Sequence, residues 1–131
     1  MPERATIESL LDAARARLDR LEPREAADAV RAGALLVDTR CVELRRQTGV
    51  IAGSVHIPLS VLYWRLDPSS ESADPGLADP DRRVVLVCAH GYSSSLAAAT
   101  LRDLGYVLAT DVIGGFEAWA AAGLPVVPAE E

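Results

Sequence analysis

The sequence predicts one α/β domain, a mainly parallel central sheet with helices on both faces. Three observations carry this. The runs Ala34-Leu35-Leu36-Val37 and Val84-Val85-Leu86-Val87 are short, continuous and apolar, as strands buried on both sides are. Segments with helical spacing of their apolar residues alternate with these runs, the arrangement of a parallel sheet and its crossovers. A length of 131 residues gives room for one domain with a substantial core.

Each element has its own warrant. Thr6 suits the cap of a helix on which Ile7, Leu10, Leu11, Ala14 and Leu18 keep helical spacing. Pro23 fits the first turn of a second helix, with Ala26, Ala27 and Val30 as its buried stripe and Gly33 as its stop. The 34–37 strand follows, closed by Asp38-Thr39-Arg40, and Cys41 to Gln47 reads as a weak helix. After the 84–87 strand comes a helix over about 94–104, then a strand from Val107 to Ile113. Gly114-Gly115 makes a turn and Phe116 to Ala122 a closing helix, with Phe116 and Trp119 in the core. Between these elements, Pro68 to Asp81 carries Pro68, Pro75 and Pro80 among serines and acidic residues, with almost nothing apolar. It is a long surface loop, whether a lid, a binding loop or simply mobile.

Composition narrows the function. The formal charge of −6 and the absence of a basic stripe argue against nucleic acid. All thirteen basic residues are arginine, so lysine Schiff-base chemistry and a phosphate-loop lysine are excluded. No apolar run approaches the ~18 residues of a membrane span, and Met1-Pro2-Glu3-Arg4 lacks the pattern of a secretory signal. A soluble, cytoplasmic protein is expected. Two cysteines, Cys41 and Cys88, are too few for a disulfide framework or a four-cysteine zinc site. Cys88, His90, His56 and Cys41 lack any known metal-ligand spacing, and no metal or organic cofactor is expected.

The chemistry concentrates at Cys88-Ala89-His90-Gly91-Tyr92-Ser93-Ser94, between a buried strand and a helix. Ligands bind at the carboxyl ends of parallel strands. A tight turn there directs backbone amides inward, and the next helix adds its positive end. Both favour an anion at the cysteine sulfur. Gly91 lets the backbone approach the sulfur or take a positive φ, while Ser93 and Ser94 can cap the helix and offer hydroxyls. The same pattern also suits an inert core thiol, since cysteine is among the most buried residue types.

At this loop the chain resembles the single-domain rhodaneses, the sulfurtransferase family. The residues that carry the resemblance are Leu35 to Arg40, Gly49 to Pro58, Cys88 to Ser94 and Gly114 to Trp119, in that order. The resemblance divides the chain into an extra N-terminal helix (1–17), the rhodanese-like domain (18–127) and a short tail (128–131). It implies that Cys88 is a nucleophile that takes sulfur from a small anionic donor such as thiosulfate and becomes a persulfide. A thiol, cyanide or protein acceptor then removes the sulfur, a ping-pong scheme. Ala89, His90, Gly91, Tyr92, Ser93 and Ser94 correspond to the cradle that holds the sulfur and its charge. Thiosulfate-specific relatives often place arginine or lysine within this loop, where this chain has Ala89 and His90, whereas the Cys-x-His-Gly-x-Ser-Ser form resembles some single-domain thiosulfate users.

The same resemblance pairs Asp38 with Arg40 as a structural pair, with Arg40 a candidate anion guide. It sets His56 in a turn and brings Trp64 and Arg65 to the pocket border. Cys41 is either an inert thiol or a resolving one. Two rival functions remain. One is a non-catalytic rhodanese module that binds a partner or carries sulfur; a module that only docks partners usually lacks the cysteine, and Cys88 is present. A phosphatase or arsenate reductase needs an anion loop ending in arginine, and this loop ends in Ser94.

Overall fold

A computed structural model describes residues 4–130. Met1-Pro2-Glu3, part of the segment on which the absence of a secretory signal was read, and Glu131 of the tail lie outside the described residues. Helix α1 (Ile7–Ala16) is capped by Thr6, whose hydroxyl accepts from the Ser9 amide at 3.0 Å while the Ser9 hydroxyl accepts from the Thr6 amide at 2.9 Å. Helix α2 (Pro23–Arg31) begins on the expected proline. Strand β1 (Leu35–Asp38) leads to helix α3 (Val42–Thr48), strand β2 (Val55–His56) and helix α4 (Leu62–Leu66). Strand β3 (Val84–Val87), helix α5 (Ser93–Asp103), strand β4 (Thr110–Asp111) and helix α6 (Gly115–Ala121) complete the order.

The four strands form one wholly parallel sheet in the order β2-β1-β3-β4. Period-two alternation splits the central strands between two cores. Leu35 and Val37 of β1 join Val84 and Leu86 of β3 beneath Leu18, Leu62, Leu66, Ala97 and Leu101. Leu36 joins Val85 and Val87 on the opposite face, under α2 and α6, with Phe116 and Trp119. Each fully buried aliphatic side chain is worth about 1.5–3 kcal/mol, so these continuous runs define the sheet centre.

Two elements differ from the sequence expectation. The strand expected over 107–113 contracts to Thr110–Asp111, because Val107 and Leu108 lie exposed in a turn after α5. The segment 53–58, expected as a turn fixed by His56, contains β2, with Val55 and His56 paired to Val37 and Asp38. The 68–81 loop is a succession of turns. It touches the core through Leu77, and Arg65 donates to Ser72 O at 3.3 Å.

Ahead of α2, the chain adds a short parallel bridge to the β4 edge. Leu21 N donates to Asp111 O at 3.1 Å, and Ile113 N donates to Leu21 O at 2.8 Å. Thr110 Oγ1 donates to Asp19 O at 2.8 Å. This stitching places residues 19–21 beside the carboxyl end of the sheet.

Candidate functional site

Cys88 directly follows β3, and its side chain is buried, with the residue 6% exposed. The chain then turns back over the sulfur before α5 begins. Gly91 makes that turn possible with φ +83°, a region that L side chains avoid. A Cβ there would also meet Gly114 N at 2.7 Å. The Gly91 amide donates to Cys88 Sγ at 3.2 Å.

Ser94 is fully buried and faces the sulfur, with Oγ 3.2 Å from Sγ. It does not cap the helix. Tyr92 holds the capping position without a side-chain bond, and Ser93 is already helical. Ser94 Oγ donates in turn to Asp111 Oδ2 at 2.7 Å, and Ser95 Oγ donates to the same oxygen at 2.8 Å. Arg20 closes the array, with Nε 2.8 Å from Asp111 Oδ1 and Nη2 3.2 Å from Oδ2. Burial opposes a charge on Cys88. The hydroxyls of Ser94 and Ser93 and the amides of Ser94 and Gly91 outweigh it, holding the thiol below its ordinary value.

The array accommodates both charge states of the sulfur. As a thiol, Cys88 donates to Ser94 Oγ, which donates to Asp111. A hydroxyl carries one proton and rotates freely. When the sulfur is anionic, the Ser94 hydroxyl can turn to it, leaving Asp111 with Ser95 and Arg20.

The loop's carbonyls are engaged away from the sulfur. Phe116 N donates to Cys88 O at 2.7 Å and Glu117 N to Ala89 O at 3.1 Å, both from the first turn of α6. Arg15 Nη2 and Arg20 Nη2 donate to Gly91 O at 2.7 and 3.1 Å. Gly115 permits the α6 approach, because a Cβ there would collide with Cys88 O.

The remaining sequence candidates take other places. Arg40 is buried and fully engaged within the fold, on Asp38, on Thr48 Oγ1 at 2.8 Å and on Gly49 O at 2.8 Å, with its guanidinium 3.8 Å from the Phe116 ring centre. His56 Nε2 lies 2.7 Å from Arg40 O, steadying the same turn. Arg65 lies against the 68–81 loop through Ser72 and Asp74, and Trp64 is exposed beside it. His90 faces outward and pairs with Glu117 at 3.0 Å. Cys41 is an exposed free thiol preceding α3. Tyr92 is exposed, with the Arg15 guanidinium 5.6 Å from its ring centre.

Sequence reasoning missed Arg15, Arg20, Ser95 and Asp111. Their side chains join residues as far as 91 positions apart, and no local pattern signals such a meeting. Among the described residues, no group of His, Cys, Asp and Glu is disposed to hold a metal, and no helix is long and apolar enough to cross a membrane.

Comparison with known proteins fits this geometry. Residues 22–122 match the family model of the rhodanese-like domain. The chain belongs to the rhodanese-like domain family. It is 42% identical over 100 residues to a thiosulfate sulfurtransferase GlpE of Pseudomonas savastanoi pv. phaseolicola, covering 76% of this chain and 85% of the relative. It is 38% identical over 90 residues to the adenylyltransferase and sulfurtransferase MOCS3 of rice, where the match spans 66% of this chain but only 20% of that longer protein. Among solved structures, a Rhodopseudomonas palustris protein of unknown function, described as a possible tyrosine phosphatase, superposes with a TM-score of 0.86 at 32% identity. That match covers 97% of this chain and 99% of the other. At the family level, this rhodanese-like chain is a sulfurtransferase relative.

Proposed function

We propose that the protein transfers sulfane sulfur from a small anionic donor such as thiosulfate to a thiol, cyanide or protein acceptor, carrying it on Cys88. The observation that supports this most is the buried Cys88 sulfur with the Gly91 amide and the Ser94 hydroxyl each at 3.2 Å and a thiol held below its ordinary value. The Cys88 thiolate attacks the outer sulfur of thiosulfate. An S–S bond forms to Sγ, the bond to the sulfonate sulfur breaks, and sulfite departs with that electron pair. The acceptor's nucleophile then attacks the terminal sulfur, and Cys88 leaves as thiolate. The amides from Ala89 to Ser94 form the cradle for the charge, with Ala89, His90 and Tyr92 contributing backbone and not side-chain chemistry.

The GlpE relative named for thiosulfate lends weight to that donor. A phosphatase reading has less support. Arg15 and Arg20 reach the loop at the Gly91 carbonyl, whereas gripping a tetrahedral dianion requires a guanidinium facing the anion.

The test is intact mass after incubation with thiosulfate, wild type beside Cys88→Ser. A gain of one sulfur atom on the wild type alone is expected. Equal gain on both proteins overturns the role of Cys88. No gain from thiosulfate, mercaptopyruvate or a persulfidated thiol overturns the enzyme reading and leaves a docking module.

A further inference from the structure

We infer that the segment preceding the matched family domain is part of the transfer site, with Arg15 of α1 and Arg20 of the following bridge as positioning residues for the Cys88 loop. The inference rests on the sulfur-transfer reading and extends it to residues outside the family match, which begins at residue 22.

Two contacts carry it. The first is the shared grip on Gly91 O, at 2.7 Å from Arg15 Nη2 and 3.1 Å from Arg20 Nη2. A trans peptide is planar, so fixing that carbonyl also fixes the Tyr92 N–H on the opposite side of the same plane. The two guanidiniums therefore set the orientation of the peptide that follows the sulfur-binding Gly91 amide. The second is the pairing of Arg20 with Asp111, at 2.8 and 3.2 Å, on a carboxylate with no solvent exposure. With Ser95, which also accepts from Arg15 Nε at 3.1 Å, Arg20 keeps Asp111 satisfied when Ser94 turns to an anionic sulfur. Without Arg20, Asp111 would compete for the single Ser94 proton, because an unpaired buried charge is costly.

The placement of Arg20 follows from the Leu21 bridge to β4. That of Arg15 follows from α1 lying along α5, where Arg17 also binds Asp103 at 2.6 Å. Arg17 thus ties the same two helices together without touching the loop, which makes it the control. The charged groups around the loop include Arg15, Arg20 and Glu8 from the N-terminal segment, Glu8 lining a cleft with Tyr92 and Ser93, Asp111 on β4, the Asp38–Arg40 pair at the end of β1, and His90 with Glu117 of α6.

The test compares Arg15→Met, Arg20→Met and Arg17→Met in two assays: steady-state sulfur transfer from thiosulfate, and Cys88 alkylation by iodoacetamide across pH. Arg20→Met is expected to lower kcat about tenfold with little change in KM, and to raise the alkylation midpoint by about one pH unit. Added guanidinium ion should restore part of both. Arg15→Met, which loses the hydrogen bonds to Gly91 O and Ser95 Oγ, is expected to lower kcat at least about threefold. Arg17→Met should match wild type. Wild-type profiles in folded Arg15→Met and Arg20→Met overturn the inference, as does an equal loss in Arg17→Met, which would reduce α1 to packing. If Arg20→Met fails to fold, Arg15→Met decides alone, because it leaves the Arg20–Asp111 pair whole. Alkylation needs no sulfur donor. A wild type that forms no persulfide therefore defeats the sulfur-transfer reading, while the alkylation profiles still judge this one.

Discussion

Ser94 and Asp111 share a 2.7 Å hydrogen bond sealed from solvent, and the Ser94 oxygen in that bond lies 3.2 Å from the Cys88 sulfur. One hydroxyl thus accepts from the thiol while it donates to the carboxylate. The sulfur's readiness to ionise is expected to depend on whether that proton can turn to it.

Ser94→Ala is the direct measure of this. It removes the hydroxyl nearest Sγ while Asp111 keeps Ser95 and Arg20. Cys88 alkylation near neutral pH should slow about tenfold, with the midpoint moved up by about one unit. The sign follows from the lowered thiol value in the wild type: losing a group that favours the thiolate returns the transition to higher pH. An unchanged alkylation profile would show that the amides and the Ser93 hydroxyl stabilise the sulfur without Ser94.

Gly91→Ala should damage fold and reactivity together. The positive φ alone costs an L residue about 1–3 kcal/mol, and the new Cβ would press on Gly114 N. Chemical denaturation should show a loss of at least about 2 kcal/mol, with Cys88 alkylation slowed as the Gly91 amide shifts.

The Asp38–Arg40–Arg45 cluster should govern acid stability. Burial raises the Asp38 pKa, but the hydrogen bonds and charges of Arg40 and Arg45 outweigh it and hold the carboxyl below its ordinary value. A lowered folded value means stability that is present above the unfolded pKa of about 4 and lost as pH falls through the folded value. Asp38→Asn should cost about 3–5 kcal/mol at pH 7, because it strands buried Arg40. It should also flatten the acid limb of the stability curve, as read by thermal melts between pH 2 and pH 7.

Tyr106→Phe tests the opposite core. The Tyr106 hydroxyl, fully buried, donates to Leu66 O at 2.6 Å and ties α4 to the turn after α5. Its removal should cost about 1–3 kcal/mol and leave Cys88 alkylation unchanged.

What the sequence revealed divides along physical lines. Val84 to Val87 was legible residue for residue, because a strand buried on both faces needs an unbroken apolar run. Val107 and Leu108 carry the same residue character yet lie exposed in a turn, since the register of β3 with β4 is set by Val85 and Leu86 against Thr110 and Asp111. Strand β2 is two residues long, too short for periodicity to register. At the site, the positions of Cys88 and Gly91 were readable from the strand–loop–helix pattern. That Ser94 would face inward while Ser93 and Tyr92 began the helix was not, because a one-residue shift in the helix start decides it. Arg40 was legible as the structural partner of Asp38, with an anion guide as the alternative; that it also braces Thr48, Gly49 and Phe116 was not, because those groups meet it only in the fold.

Segments that bind ligands commonly come from the least stable parts of a protein, exchanging their amide hydrogens through local opening. The carbonyls of Cys88 and Ala89 are held by α6, near one end of the chain, and that of Gly91 by arginines near the other. Releasing the loop would require both ends to let go. The Gly91 amide is therefore expected to exchange in the slowest class, alongside the β3 amides, so that this reactive segment opens only when the whole protein does.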